Sequence, residues 1–120
     1  MFKRKIYSKM QEWKKESDGK TALLIEGARR IGKSTVVEEF AKNEYESYIL
    51  IDFSRASKET RELFEDVSDL NFLFLQLQLQ YKVDLKERKS VIIFDEVQLC
   101  PPARQAIKAL VADHRYDYIE

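Results

Sequence analysis

Three features of the sequence predict an α/β fold with three layers and a parallel sheet. Short apolar runs alternate with amphipathic stretches along the chain, the pattern of repeated strand–helix–strand units. Val91-Ile92-Ile93-Phe94 is apolar without interruption, as expected of a strand buried on both faces. The glycines at 27 and 32 fall between one such run and a helical stretch, where a tight strand-to-helix turn belongs. With 120 residues, 44% of them hydrophobic and 12% aromatic, the chain can build one core. Residues 1–120 are therefore read as one unit.

Each element has its own signal. In residues 2–16, Ile6, Met10 and Trp13 fall on one helical stripe with lysines opposite, and Ser17-Asp18-Gly19 supplies the turn that closes a leading helix over 1–18. Ala22-Leu23-Leu24-Ile25 reads as a short buried strand entering the glycines. Ser34 to about Lys42 is helical, with Val36, Val37, Phe40 and Ala41 inward. Tyr48 to Phe53 is a second strand. From Leu70 to Tyr81 two periods compete. Leu75-Gln76-Leu77-Gln78-Leu79-Gln80 alternates like a strand, while Leu70, Leu73, Phe74, Leu77 and Tyr81 share a helical face. Helix is favoured, because the stretch is long for a strand and a parallel crossover needs a helix to cover the sheet. Val91–Phe94 follows, then a helix opened by Pro101-Pro102 and running to about His114, then a strand beginning at Tyr116.

Composition excludes several classes. The 21 basic and 21 acidic residues balance, so there is no general electrostatic reason to coat nucleic acid. One cysteine, Cys100, cannot form an internal disulfide and suits a reducing compartment. No run approaches the roughly 18 apolar residues of a membrane span, and no signal-type apolar stretch follows Lys3-Arg4-Lys5. A cytoplasmic protein without membrane contact is expected.

Gly27-Ala28-Arg29-Arg30-Ile31-Gly32-Lys33-Ser34 satisfies G-x-x-x-x-G-K-[ST] at every position. That chemistry needs those residue types. The chain must curl until successive backbone N–H groups point at one phosphate, and glycine permits the close approach and unusual dihedrals. The helix that follows aims the positive end of its dipole at the anion. Lys33 is placed to reach the β- and γ-phosphates and Ser34 to ligate magnesium, with Thr35 as a secondary phosphate contact. The fold expectation thereby narrows to a P-loop NTPase, with ATP and Mg2+ as cofactors. A Walker-A unit is assigned to 22–43.

Asp95-Glu96 ends the Val91–Phe94 strand, and the C-terminal edge of an open α/β sheet is where ligands sit. In this Walker-B strand, 91–96, Asp95 is expected to hold magnesium and Glu96 to polarise the attacking water. Lys33 and Glu96 are thus the catalytic candidates. A regulatory GTPase would place glycine where Gln98 stands and would carry an Asn-Lys-x-Asp motif; neither feature is present, nor is a Ser-Gly-Gly-Gln-like transport-ATPase signature. A nucleotide-gated switch with little turnover stays open as an alternative. A small nucleotide kinase is the remoter one, since no arginine-bearing lid is visible.

The run from Ala22 to Ser34, taken with Ile93-Phe94-Asp95-Glu96-Val97-Gln98, resembles prokaryotic AAA-like ATPases of the group whose ATPase domain precedes a separate C-terminal domain of poorly known function. The resemblance spans essentially the whole chain. Its specific parts are the two arginines inside the loop and Asp-Glu-x-Gln. It implies that 1–120 is the N-terminal portion of such a domain. The strand at Tyr116 would then lie centrally, beside the P-loop strand, and the sensor, final core strand, lid and arginine finger would lie beyond Glu120. It also implies weak turnover by the 120-residue chain alone, and self-association or a protein partner engaged through the C-terminal part.

The remaining polar residues have plainer readings. Gln98 is either a γ-phosphate sensor or a structural hydrogen-bonding group. Asp52 is read as a turn or cap residue, Cys100 as a half-buried small hydrophobe, His114 as neither ligand nor catalyst, and Trp13 as a core anchor. Arg104, Lys108 and Arg115 are read as one solvated helical face.

Overall fold

The computed structural model describes residues 2–25 and 33–120. The leading helix α1 covers Phe2–Ser17 and ends in a left-handed turn, with φ of 48° at Asp18 and 82° at Gly19. The positive φ at 19 favours glycine, and the Arg88 guanidinium packs close over it, 2.5 Å from where a Cβ would stand. Helix α2 covers Lys33–Glu44 and buries Val36, Val37, Phe40 and Ala41, the face expected from its spacing. Strand β1 (Ser47–Asp52) leads into α3 (Lys58–Leu63) and α4 (Leu70–Tyr81). Strand β2 (Ser90–Asp95) leads through one 3-10 turn (Val97–Leu99) into α5 (Pro101–Asp113), and β3 is Asp117–Ile119.

The contested stretch is a helix with the expected bounds, Leu70–Tyr81. Asp69 caps it by accepting the Phe72 N–H, and Lys82 stops it in a left-handed conformation. Helix α3 was not anticipated. Six residues long and mostly charged, it shows little periodicity, yet Ser57 carries a cap signal and accepts the Thr60 N–H at 3.1 Å.

The sheet is parallel, in the order β1-β2-β3. Residues 22–25 extend it beyond β3 through one parallel bridge, Leu23 to Ile119. The backbone bonds Leu23 N–H to Tyr118 O (2.9 Å), Glu120 N–H to Leu23 O (2.8 Å) and Ile25 N–H to Glu120 O (2.9 Å) make it. The expected strand is therefore only this short pairing, and it is not fully buried. Leu23 and Ile25 pack toward α2, while Leu24 points the other way and is 50% exposed. The neighbour of 22–25 is β3, as the resemblance implied.

Alternation along β2 divides the core. Val91 and Ile93 join Met10, Val36, Val37 and Phe40 from α1 and α2 on one face. Ile92 and Phe94 join Leu73, Leu77, Ala106 and Leu110 from α4 and α5 on the other. This gives the three layers. The connection from 22–25 to β1 crosses the sheet one way and those from β1 to β2 to β3 return. Constant right-handed crossovers then require helices on opposite faces.

Candidate functional site at the C-terminal rim of the sheet

Because all strands are parallel, their C-terminal ends share one rim. Helix α2 carries the chain from the end of 22–25 back to the start of β1, so its first residues, Lys33 and Ser34, stand at that rim. Residues Gly27, Ala28, Arg29, Arg30, Ile31 and Gly32 lie outside the described residues. Thr35 is exposed on the first turn of α2.

Asp95 ends β2, directly opposite Asp52 at the end of β1. Its parity is that of Val91 and Ile93, which pack against α2, so Asp95 belongs to the sheet face on which α2 opens. Asp52 shares the parity of Tyr48 and Leu50, which pack on the same side. One Asp52 oxygen accepts from the Ser54 N–H (3.0 Å) and hydroxyl (2.6 Å), the turn role expected of it.

Glu96 has φ 56° and ψ 42°. A side-chain-bearing residue held in the left-handed region costs about 1–3 kcal/mol, and such strain gathers at functional sites. The turn that follows fixes it: Leu99 N–H donates to Glu96 O at 3.0 Å, and the Gln98 amide Nε2 donates to Glu96 Oε1 at 2.5 Å. Of the two readings kept for Gln98, this contact is the structural one.

Sequence reasoning passed over Arg61. Its guanidinium donates to the Leu99 carbonyl at 2.9 Å and to the Phe53 carbonyl. It thereby ties the chain leaving β1 to the chain leaving β2, immediately beyond Asp52 and Asp95. Arg61 is half-buried and is held by carbonyls 8 and 38 residues away along the chain, so only the single Arg on a short polar helix hinted at it.

Other assignments resolve plainly. Cys100 is fully buried rather than half-buried. His114 caps α5 in a left-handed conformation, and its Nε2 lies 2.9 Å from the Asp18 carbonyl. Trp13 packs against the α1–α2 core and donates its indole N–H to Thr21 O at 3.1 Å. The shared face of Arg104, Lys108 and Arg115 does not exist as drawn. Helix α5 ends at Asp113, and Arg115 turns back to Asp113 (3.1 Å) and over the Phe74 ring.

The donor chemistry fits magnesium. Carboxylate and hydroxyl oxygens are its hard ligands, and it is usually held by one or two carboxylates plus phosphates rather than an all-protein cage. Among the described residues no group of three or more His, Cys, Asp or Glu could form such a cage. No described helix is long and apolar enough to cross a membrane.

A P-loop sequence leading into α2, and an acidic strand end on the sheet face of that helix, define an ATPase-type α/β domain. The family model described as AAA domain matches residues 19–119, and the chain belongs to that family. No curated protein and no solved structure matches it.

Proposed function

We propose that this AAA domain binds ATP with magnesium and hydrolyses it, coupling turnover to a partner. The observation that carries the reading is the position of Asp95: it ends the buried central strand on the sheet face and at the rim where α2 begins, directly after the P-loop sequence. In this reading the backbone of 27–32 and the α2 dipole hold the phosphates, with Arg29 and Arg30 bordering them. Lys33 neutralises the β- and γ-oxygens, and Ser34 and Asp95 hold magnesium. Bound magnesium supplies charge neutralisation between the phosphates. Glu96 orients a water and accepts its proton, and its tether to Gln98 limits where the carboxylate can point. Most of the rate would come from positioning and electrostatics. The Arg pair in the loop and Asp95-Glu96-Val97-Gln98 also support a place in the AAA group with a separate C-terminal domain.

Titrating the chain with ATP tests this, with and without magnesium. Lys33→Ala is expected to lose about tenfold or more in affinity while its melting stays unchanged, the scale of a lost charge-assisted contact. Equal affinity in a folded variant would sink the reading. The close Gln98–Glu96 contact favours one second reading, in which the base is held back and nucleotide binding alone sets a state read by a partner. Single-turnover hydrolysis separates the two, because a fast chemical step excludes a pure switch.

A further inference from the structure

Helix α4 is apolar on more than its inward face. Leu73, Phe74 and Leu77 are buried in the core, yet Phe72, Leu75 and Leu79 are 54%, 52% and 62% exposed. They fall at i, i+3 and i+7, one continuous outer ridge. Scattered exposed leucines need no explanation, whereas a ridge of three large apolar side chains on one helix face is unusual for a surface that meets only water.

The ground beside the ridge is acidic. A groove of about 390 Å³ runs between α3 and α4, with Phe72 in its wall and Glu59, Glu62, Asp66 and Asp69 around it. No basic residue lines it. Lys58 and Arg61 belong to α3 but stay outside, and the Arg61 guanidinium is engaged by the Phe53 and Leu99 carbonyls. Two of the acids are fixed in place: Asp69 caps α4, and Asp66 accepts the Ser68 N–H at 3.0 Å. That backbone bond holds the Asp66 carboxyl below its ordinary range, so it stays charged.

We infer that the outer face of α4 with the α3–α4 groove is a docking site for a basic amphipathic helix of a partner protein. Such a helix would lay apolar side chains at i, i+3 or i+4, and i+7 against Phe72, Leu75 and Leu79, and its Lys or Arg flank over the four carboxylates. Charge complementarity selects this occupant. An anionic membrane would be repelled by the same carboxylates. A second copy fits poorly, because α1, the basic helix of this chain, already spends its apolar stripe (Ile6, Met10, Trp13) on its own core and has none left for the ridge.

The test uses this chain and a fluorescein-labelled helical peptide with Leu at i, i+3, i+4 and i+7 and Lys elsewhere, read by anisotropy. The peptide should bind, more weakly as salt rises. Leu75→Gln/Leu79→Gln should lose about tenfold or more in affinity, as loss of central anchors does. Glu62→Lys/Asp66→Lys should lose a similar factor and flatten the salt dependence. All four positions are exposed, so the leucine variant should melt like the parent, the acid variant should lose only the Asp66–Ser68 turn bond and stay folded, and either one alone can decide. The inference is overturned if either folded variant binds unchanged, or if a peptide with Glu in place of Lys binds equally well. It is also overturned if the parent self-associates in light scattering through the ridge, or binds vesicles rich in anionic lipid, and the Leu75→Gln/Leu79→Gln variant loses that behaviour.

Discussion

At the N-terminal edge of the sheet Asp117 is 5% exposed, accepts the Tyr45 hydroxyl at 2.5 Å and pairs with Arg88 at 2.7 Å. Arg88 also donates to the His114 carbonyl at 3.2 Å and packs over Gly19. One anion, one cation and a phenol thus close on each other and join α1, α2, β2 and β3. At the opposite edge Asp52, Asp95 and Glu96 gather at strand ends on the rim where α2 opens. Asp52 and Asp95 stand opposite each other there on neighbouring strands, an arrangement in which like charges repel. In the proposed function the two edges divide the work: charge at the N-terminal edge holds the sheet, and charge at the rim serves the nucleotide. Substitutions at one should alter stability, and at the other nucleotide chemistry.

Glu96→Gln should give the largest effect. The amide keeps the shape and can still accept the Gln98 hydrogen bond, but it cannot take a proton. Hydrolysis is expected to fall about 10²–10⁴-fold, the usual contribution of a positioned general base. ATP affinity and melting temperature should stay near those of the parent, so filter binding and calorimetry accompany the rate. A large drop in melting temperature would erase the distinction between the edges.

Asp117→Ala comes next and reads the other way. It leaves Arg88 charged and the Tyr45 hydroxyl without its acceptor. Breaking a buried pair usually costs about 3–5 kcal/mol. Here Arg88 keeps 32% exposure, so solvent should reduce the loss to about 2–4 kcal/mol. Urea unfolding measures it. Asp117→Asn, whose carbonyl oxygen can still accept, should lose less. ATP affinity of the folded fraction should not change.

How far each edge could be read beforehand follows from the range of its interactions. The motifs assigned to the rim are local: glycine, lysine, serine and the paired acids stand at fixed offsets in the sequence, which is why they could be read at all. Helix α4 was also local, since its length decided against the strand-like alternation of Leu75 to Gln80. Asp117 and Tyr45 are 72 residues apart, and neither has neighbours that announce the other. The same holds for Arg61 and the carbonyls it spans. The short pairing at 22–25 was overread, because its apolar run looked buried while Leu24 meets solvent. The left-handed Glu96 was invisible for another reason. Backbone strain at a side-chain-bearing residue is imposed by the surrounding packing and leaves no mark in local sequence.

Tyr118 lies between the edges, in the middle of β3, and should give the smallest effect. Its ring is 1% exposed and packs on Phe94 with centroids 6.3 Å apart. Its hydroxyl is buried with no hydrogen-bond partner among the described residues, and burial pushes the phenol well above its ordinary range. An unpaired buried hydroxyl gives up its water bonds and regains nothing, a loss of about 1–3 kcal/mol. Tyr118→Phe keeps the ring and removes that loss, but leaves a void the size of one oxygen, which offsets part of the gain. The variant should therefore be more stable by up to about 1 kcal/mol, seen as a higher urea midpoint with an unchanged slope. A lower midpoint would mean that the hydroxyl has found a partner, and that polar bonding holds the centre of the sheet as well as its N-terminal edge.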